Sequence, residues 1–332
     1  MAAPPCGLMI GVHAKRSEPL EVSEPLTEYV KAVYGPAEAR ECAEAIAEVN
    51  NRRRMMLEED VAVNARLDRT ASYFRAMSVL ETRVTVSPET QHTQRLNFRW
   101  YDAFKQGSKK HVAGAVSVPH EKASVLFNIG ALVSQTALAT NRVASSDGLK
   151  RAAAGFQEAA GIFAMLREGS PYKAPAISGT DVSVECAAML ERLMLAQAQE
   201  CFFEKVVGAA GVDPDAPAPK PNPKIAARVA MQVSAYYADA HRAVTSSSRL
   251  SGHFDKAWIM HIQGKATLFH AYAERAAAVA AKDDESGDGI GEELCRLKSA
   301  LDLCADLKRY LAHVPENHAA SGASARPRSA RP

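Results

Sequence analysis

The chain has 332 residues, of which 47% are hydrophobic and 23% charged, with a formal net charge of +2. That balance excludes a disordered chain and gives no overall field for nucleic acid or anionic lipid. The six cysteines, at 6, 42, 186, 201, 295 and 304, form no CxxC pair and are too sparse for a disulfide-stapled scaffold, so buried reduced thiols are expected.

The opening MAAPPCGLMIGVHAKR lacks the charged start and apolar run of a secretory signal. No apolar run approaches the ~20 residues of a membrane span, and the final RPRSARP is not a prenylation box. The expectation is a soluble, cytoplasmic protein that reaches membranes through partners.

In chain order, residues 7–14 (GLMIGVHA) read as a short strand. SEPLTEYVKAVY from Ser23 reads as a capped helix with Pro25 in its first turn. Alanine- and charge-rich helices are expected over 36–58 and 60–82. The arginines at 52–54 point in three directions on a helix, which predicts a solvated face rather than a binding patch. RLNFRWYDAF (95–104) alternates and is aromatic, and VAGAVSV (112–118) is rich in β-formers; both are expected to pair with the first strand in a small sheet.

Beyond the sheet, helices are expected over 120–141, 146–168, 181–207, 224–245, 253–281 and 290–313, with Ser146 and Asp181 as N-caps. The stretch 206–224 carries prolines at 214, 217, 219, 221 and 223, which predicts an extended loop. The tail from 315 lacks apolar residues and is expected to be disordered.

Ala-x-x-x-Phe recurs at Ala123/Phe127, Ala159/Phe163 and Ala198/Phe202, at spacings of 36 and 39. A small residue one turn before an aromatic opens a hole for a neighbouring helix, and the spacing is close to the ~34-residue period of tetratricopeptide repeats. Stacked antiparallel helices follow. In HEKASVLFNIGALVSQTA (120–137) there is almost no polar face, so that helix is expected to be buried all round. Ser124, Asn128 and Gln135 are then expected to bond to neighbouring backbone, and Gly130, Ala131 and Ser134 to admit a second helix closely.

Catalytic signatures are absent: no GxGxxG, GxxxxGK[ST], HExxH or GxSxG occurs. DDESGDGIGEEL (283–294) mimics a calcium loop, but Cys295 stands where the bidentate glutamate belongs, so it reads as a solvated turn. His261 and His270 point nearly opposite ways on one helix and read as packed or surface residues. Glu200 and Glu204, beside Lys205, read as ordinary helix charges. No enzyme and no cofactor or metal is expected.

LNFRWYDAFKQGS (96–108), EKASVLFNIGALVSQTA (121–137) and LMLAQAQECFFEK (193–205), in that order, resemble segments of the Bro-one domain family of the Alix, rhophilin and Brox type. DGLKRAAAGFQEAAGIF (147–163) fits between the second and third, and RVAMQVSAYYADA and EELCRLKSALDLC fit after them. The resemblance spans about residues 7–312. It implies a mainly α, boomerang-shaped helical solenoid with a tetratricopeptide-like core and a small sheet. The expected layout is a C-terminally short domain over 1–313 and a disordered tail over 314–332. No V-shaped domain, proline-rich partner-binding tail, small-GTPase-binding region or PDZ region is expected within these residues.

The resemblance also implies a function: a non-enzymatic adaptor that binds the C-terminal amphipathic helix of an ESCRT-III subunit, a charged multivesicular body protein, in endosomal sorting and membrane scission. The groove residues it points to are Phe202, Ile225 and Val229, with Lys150 for an acidic group of the partner. An acidic contact of the family falls on Ser146, with Asp147 beside it. Plain core packing is the competing reading for the three apolar residues, and a buried Phe202 would favour a rhophilin-like scaffold for another partner with the groove lost.

Overall fold

The computed structural model describes residues 8–105, 112–142, 144–169, 180–208, 221–282 and 289–312. The elements run α1 (Ser23–Val33), α2 (Pro36–Glu41), α3 (Ala43–Met56), α4 (Val63–Leu80), β1 (Phe98–Tyr101), β2 (Val112–Ala115), α5 (Val118–Ala139), α6 (Ser146–Glu168), α7 (Val184–Val206), α8 (Pro223–Thr245), α9 (Ser248–Ser251), α10 (Lys256–Lys282) and α11 (Gly289–Leu311). The chain is mainly helical with a two-stranded antiparallel sheet, in which Phe98 faces Ala115 and Tyr101 faces Val112. Two compact units are present: a sheet-bearing unit of residues 12–133 and 161–191, and a helical unit of residues 1–11, 134–160 and 192–332.

In the sheet-bearing unit an apolar core of Leu26, Tyr29, Ile46, Met77, Leu96, Phe98 and Val125 encloses a polar centre. Glu121, fully buried on α5, accepts hydrogen bonds from Arg53 Nε (3.1 Å), Tyr73 Oη (2.9 Å) and Trp100 Nε1 (2.5 Å). Arg53 also donates to Ser17 Oγ and the Glu18 carbonyl. The arginine run is therefore not a solvated face throughout. Arg52 pairs with Glu48 at the surface, while Arg53 is buried as the counter-ion of Glu121. Three donors, one of them the Arg53 cation, offset the cost of burying the carboxylate in a low-dielectric interior.

Asp181 caps no helix. It is buried, pairs with Lys15 and accepts the Ala103 amide (3.0 Å), while Ser183 caps α7 by accepting the Cys186 amide (3.2 Å). Phe127 and Phe163 of the repeated pattern are both buried and meet edge to face at 5.8 Å. Gly130 lies close beneath them: a Cβ there would be 3.0 Å from the Phe163 ring, which would have to give by a few tenths of an ångström.

The N-terminal segment pairs with the sheet through a single bridge, Ser17 to Trp100, and is not a strand over residues 8–14. Side-chain amides serve its backbone instead. In the sheet-bearing unit Asn128 accepts from the Lys15 amide (2.6 Å) and donates to the Lys15 carbonyl (3.0 Å). In the helical unit Gln197 does the same for Ile10 (2.6 and 3.0 Å). Each amide imitates one rung of a ladder, which satisfies the buried backbone without a neighbouring strand. Asn128 thus bonds as the sequence predicts, whereas Ser124 is buried with no partner for its hydroxyl.

The helical unit is held by a second buried polar cluster. Glu200 accepts from Tyr237 Oη (2.6 Å) and Lys265 Nζ, and Glu204 takes both N–H contacts of Arg142 Nη1 at 2.9 and 3.0 Å. The two glutamates are structural ion pairs, not ordinary surface charges. Burial, reinforced by the Glu200 carboxylate, pushes the Tyr237 phenol well up, so it stays protonated and donates. Tyr237 stacks on Phe269, which meets Phe203 edge to face. Arg296 on α11 pairs with Glu274 on α10, and Gln263 donates to Tyr310.

Cys186 and Cys201 are buried, but Cys295 and Cys304 are exposed and Cys42 is intermediate, so the expectation of buried thiols holds for part of the set. The first half of the calcium-loop mimic (283–288), most of the proline stretch (209–220) and the tail (313–332) lie outside the described residues, and the second half of the mimic (289–294) is the start of α11 rather than a turn.

Candidate functional site

All five sequence-selected residues lie in the helical unit. Phe202 sits near the end of α7, between Cys201 and Phe203, which are buried. The neighbours at 200, 201, 203 and 204 all turn inward, to Tyr237, Phe269 and Arg142. That assigns Phe202 to the outer face, where it is 48% exposed. The third Ala-x-x-x-Phe therefore departs from the first two: Ala198 is buried, but its aromatic is presented to solvent.

The helix ends at Val206, about one turn later, and Gly208 follows at φ 70°, a left-handed conformation that costs glycine little. α8 begins with Asn222 as N-cap, its Oδ1 accepting from the amides of Lys224 (3.0 Å) and Ile225 (3.2 Å), and with Pro223 at the first helical position. This cap fixes the first turn. Ala226, Ala230 and Val233 face the core, so Ile225 is 49% exposed and Val229, one turn on, is half-buried. The exposed cations Lys205, Lys224 and Arg228 lie within one helical turn of these apolar residues in sequence. The Tyr237–Glu200 bond ties α8 to α7.

Asp147 and Lys150 lie near the start of α6, inside the helix expected from residue 146. The cap is Ser145, not Ser146: Ser145 Oγ accepts the Gly148 amide at 3.0 Å. Gly148 is needed because a Cβ there would sit 2.1 Å from the Asn141 carbonyl oxygen. Lys150 Nζ and Asp147 Oδ1 pair with each other at 2.9 Å in full solvent, and the Lys150 hydrogen bond lowers the Asp147 carboxyl. Such a pair is held weakly and is free to exchange partners.

Sequence reading missed Arg142 and Glu204, whose buried pair anchors the segment before α6 to the end of α7, two residues past Phe202. The available signal was a glutamate pair one turn apart in a helix with apolar residues on every side. A cavity of about 320 Å³ in the sheet-bearing unit is lined by Lys15, Arg16, Arg66, Tyr101, Met56 and Asn128 among others. Of its polar side chains Lys15 pairs with Asp181 and Asn128 with the Lys15 backbone, whereas Arg66 Nε is buried in the lining without a hydrogen-bond partner. Among the described residues no cluster of three metal-ligating side chains occurs, and no helix is long and apolar enough to cross a membrane.

The chain is helical with a two-stranded sheet and carries a solvent-facing aromatic near the end of α7. It belongs to the BRO1-like domain family, whose pattern it matches over residues 9–326. It is 38% identical over 312 residues to the vacuolar-sorting protein BRO1 of Arabidopsis thaliana, covering 93% of this chain and 35% of that protein. It is 32% identical over 304 residues to the ALG-2 interacting protein X of Dictyostelium discoideum, covering 92% and 36%. The chain thus spans about a third of the length of these relatives. Among solved structures, a complex of the ALIX BRO1 domain with CHMP4C superposes with a TM-score of 0.76 at 28% identity, over 93% of this chain and 83% of that one. The fold class expected from sequence, a mainly helical domain of this family with a small sheet, is the one observed.

Proposed function

We propose that this chain is a non-enzymatic adaptor of endosomal sorting that binds the C-terminal amphipathic helix of an ESCRT-III subunit, and that Phe202, Ile225 and Val229 form the apolar floor of its groove. The supporting observation is the exposure of Phe202 and Ile225 within one unit of an otherwise well-buried helical scaffold. Large apolar side chains at half exposure, on rigid capped helices, are the usual anchors for a helix laid in a groove. The surrounding Lys205, Lys224 and Arg228 suit a partner helix with acidic flanks. Lys150, held only by an exposed contact with Asp147, is available to a carboxylate of that helix.

The relatives support the cellular context: one carries vacuolar sorting in its name, and the ALIX domain has been solved with CHMP4C, an ESCRT-III subunit. Cytoplasmic residence with recruitment to endosomes, and the division into a module over 1–313 and a tail over 314–332, belong to the same proposal. The exposure of Phe202 speaks against the scaffold reading in which the groove is lost. Co-sedimentation with filaments of a full-length ESCRT-III subunit tests the partner. The chain is expected to pellet with intact filaments and to stay in the supernatant when the subunit's C-terminal helix is deleted; pelleting with both would overturn the assignment.

A further inference from the structure

The cavity of about 320 Å³ in the sheet-bearing unit brings together two arginines from separate parts of the chain. Arg16 lies in the N-terminal segment, where its carbonyl accepts the Tyr101 amide (2.8 Å) and its guanidinium lies over the Tyr101 ring, 6.0 Å from the centroid. Arg66 lies near the start of α4. The other polar side chains of the lining have their donors engaged. Tyr101 Oη donates to Glu18 Oε1 (3.2 Å), Ser17 Oγ to the Arg99 carbonyl (2.9 Å) and Thr70 Oγ1 to the Arg66 carbonyl (2.6 Å). Asn128 serves the Lys15 backbone, and Lys15 is neutralised by Asp181. Among the described residues the two guanidiniums have no hydrogen-bond or ion-pair partner, and for Arg66 Nε that donor is buried. Glu59, exposed in the same lining, pairs with neither.

A buried charged donor without an acceptor costs free energy that an incoming acceptor recovers. The uncommitted donors of the cavity are N–H groups of cations, so the complementary ligand is an anion. A carboxylate is satisfied by the fork of one guanidinium. Two guanidiniums from different elements match the three terminal oxygens of a phosphate instead. Met56, Leu57 and Leu132 add an apolar wall, and the volume is that of a small organic molecule.

We propose that this cavity binds a small phosphate monoester, its phosphate held by Arg16 and Arg66 and its organic body set against Met56, Leu57 and Leu132. The cavity belongs to the sheet-bearing unit and Phe202 to the helical unit, so this binding and the adaptor function stand or fall separately.

Calorimetric titration of phenyl phosphate into the full chain at about pH 8, where a phosphate monoester is a dianion, tests it. The expected result is saturable binding at one site. It is expected to be at least about fivefold tighter than that of inorganic phosphate, which lacks the apolar body, and of benzoate, which lacks the third oxygen. Arg16→Gln and Arg66→Gln should each weaken it at least about tenfold through loss of a charge-assisted contact. Glu59→Gln should tighten it about two- to fivefold by removing a like charge. Arg52→Gln, which alters a surface cation paired with Glu48, should bind as the wild type does. The Arg16 side chain is exposed, so its variant keeps the fold and decides the matter even if far-ultraviolet dichroism shows Arg66→Gln to be unfolded. No saturable binding by the wild type up to about 10 mM overturns the proposal. Binding that Arg16→Gln leaves unchanged, that Arg52→Gln weakens equally, or that benzoate matches overturns it as well.

Discussion

Replacing Glu121 by glutamine changes one oxygen to an amide nitrogen at the centre of the sheet-bearing unit. The carboxylate takes three donors, Arg53, Tyr73 and Trp100, and all four side chains are buried. The amide has a single acceptor atom and turns an N–H₂ toward groups that are themselves donors. Arg53 keeps its contacts to Ser17 and Glu18 but loses its counter-ion in an apolar surround. Stranding one member of a buried ion pair costs about 3–5 kcal/mol, and an orphaned neutral donor adds about 1–3 kcal/mol. The expected loss is therefore about 4–8 kcal/mol, a large share of the ~5–15 kcal/mol of a typical fold. Guanidinium unfolding followed by far-ultraviolet dichroism measures it. Arg53→Met in the Glu121→Gln background should recover at least ~2 kcal/mol of the sum of the single losses, because the two side chains share one interaction. Additive losses, or a Glu121→Gln cost below ~1 kcal/mol, would refute the idea that this ion pair organises the core.

Two further perturbations address other parts of the chain. Gly148→Ala puts a methyl into the Asn141 carbonyl at 2.1 Å, so the start of α6 must shift, at a cost of about 1–3 kcal/mol in thermal unfolding; an unchanged midpoint would show that the turn is soft. Burial, aided by the Lys15 charge, pushes the His120 imidazole down to about 4. The unfolded chain binds that proton near pH 6.5, so the stabilisation is complete above about 6.5 and is lost as pH falls from there to about 4, about 3 kcal/mol in all. Comparing the stability–pH slopes of wild type and His120→Gln isolates this contribution, and identical slopes would contradict it.

The helices were legible because the chain alternates apolar faces with capped or proline-marked ends. Pro25 in the first turn of α1 and the apolar run of α5 are examples, whereas Pro223, read as part of the extended loop, is the first residue of α8. What escaped the sequence is charge burial. Arg53 and Glu121 are 68 residues apart, Lys15 and Asp181 166 apart, and Arg142 and Glu204 62 apart. A charged residue looks solvated until its distant partner is known, which is why Arg53, Asp181, Glu200 and Glu204 were each misassigned. The N-terminal segment escaped for a related reason: its β-rich composition is satisfied by the amides of Asn128 and Gln197 rather than by a strand. At the candidate site, Phe202 was marked by its place after LAQAQE, but the Ala-x-x-x-Phe pattern alone would have buried it. Its exposure follows from the inward commitments of Glu200, Phe203 and Glu204.

The groove itself is tested most directly by calorimetric titration of ESCRT-III C-terminal helix peptides into the wild type, Phe202→Asp and Ile225→Asp. Both positions are about half exposed, so the variants should fold, and each anchor contributes roughly 2–4 kcal/mol to binding. Binding by the wild type that falls at least ~30-fold in both folded variants is the predicted result. Equal binding by all three proteins, or none by the wild type to any such peptide, would contradict a groove built on Phe202 and Ile225.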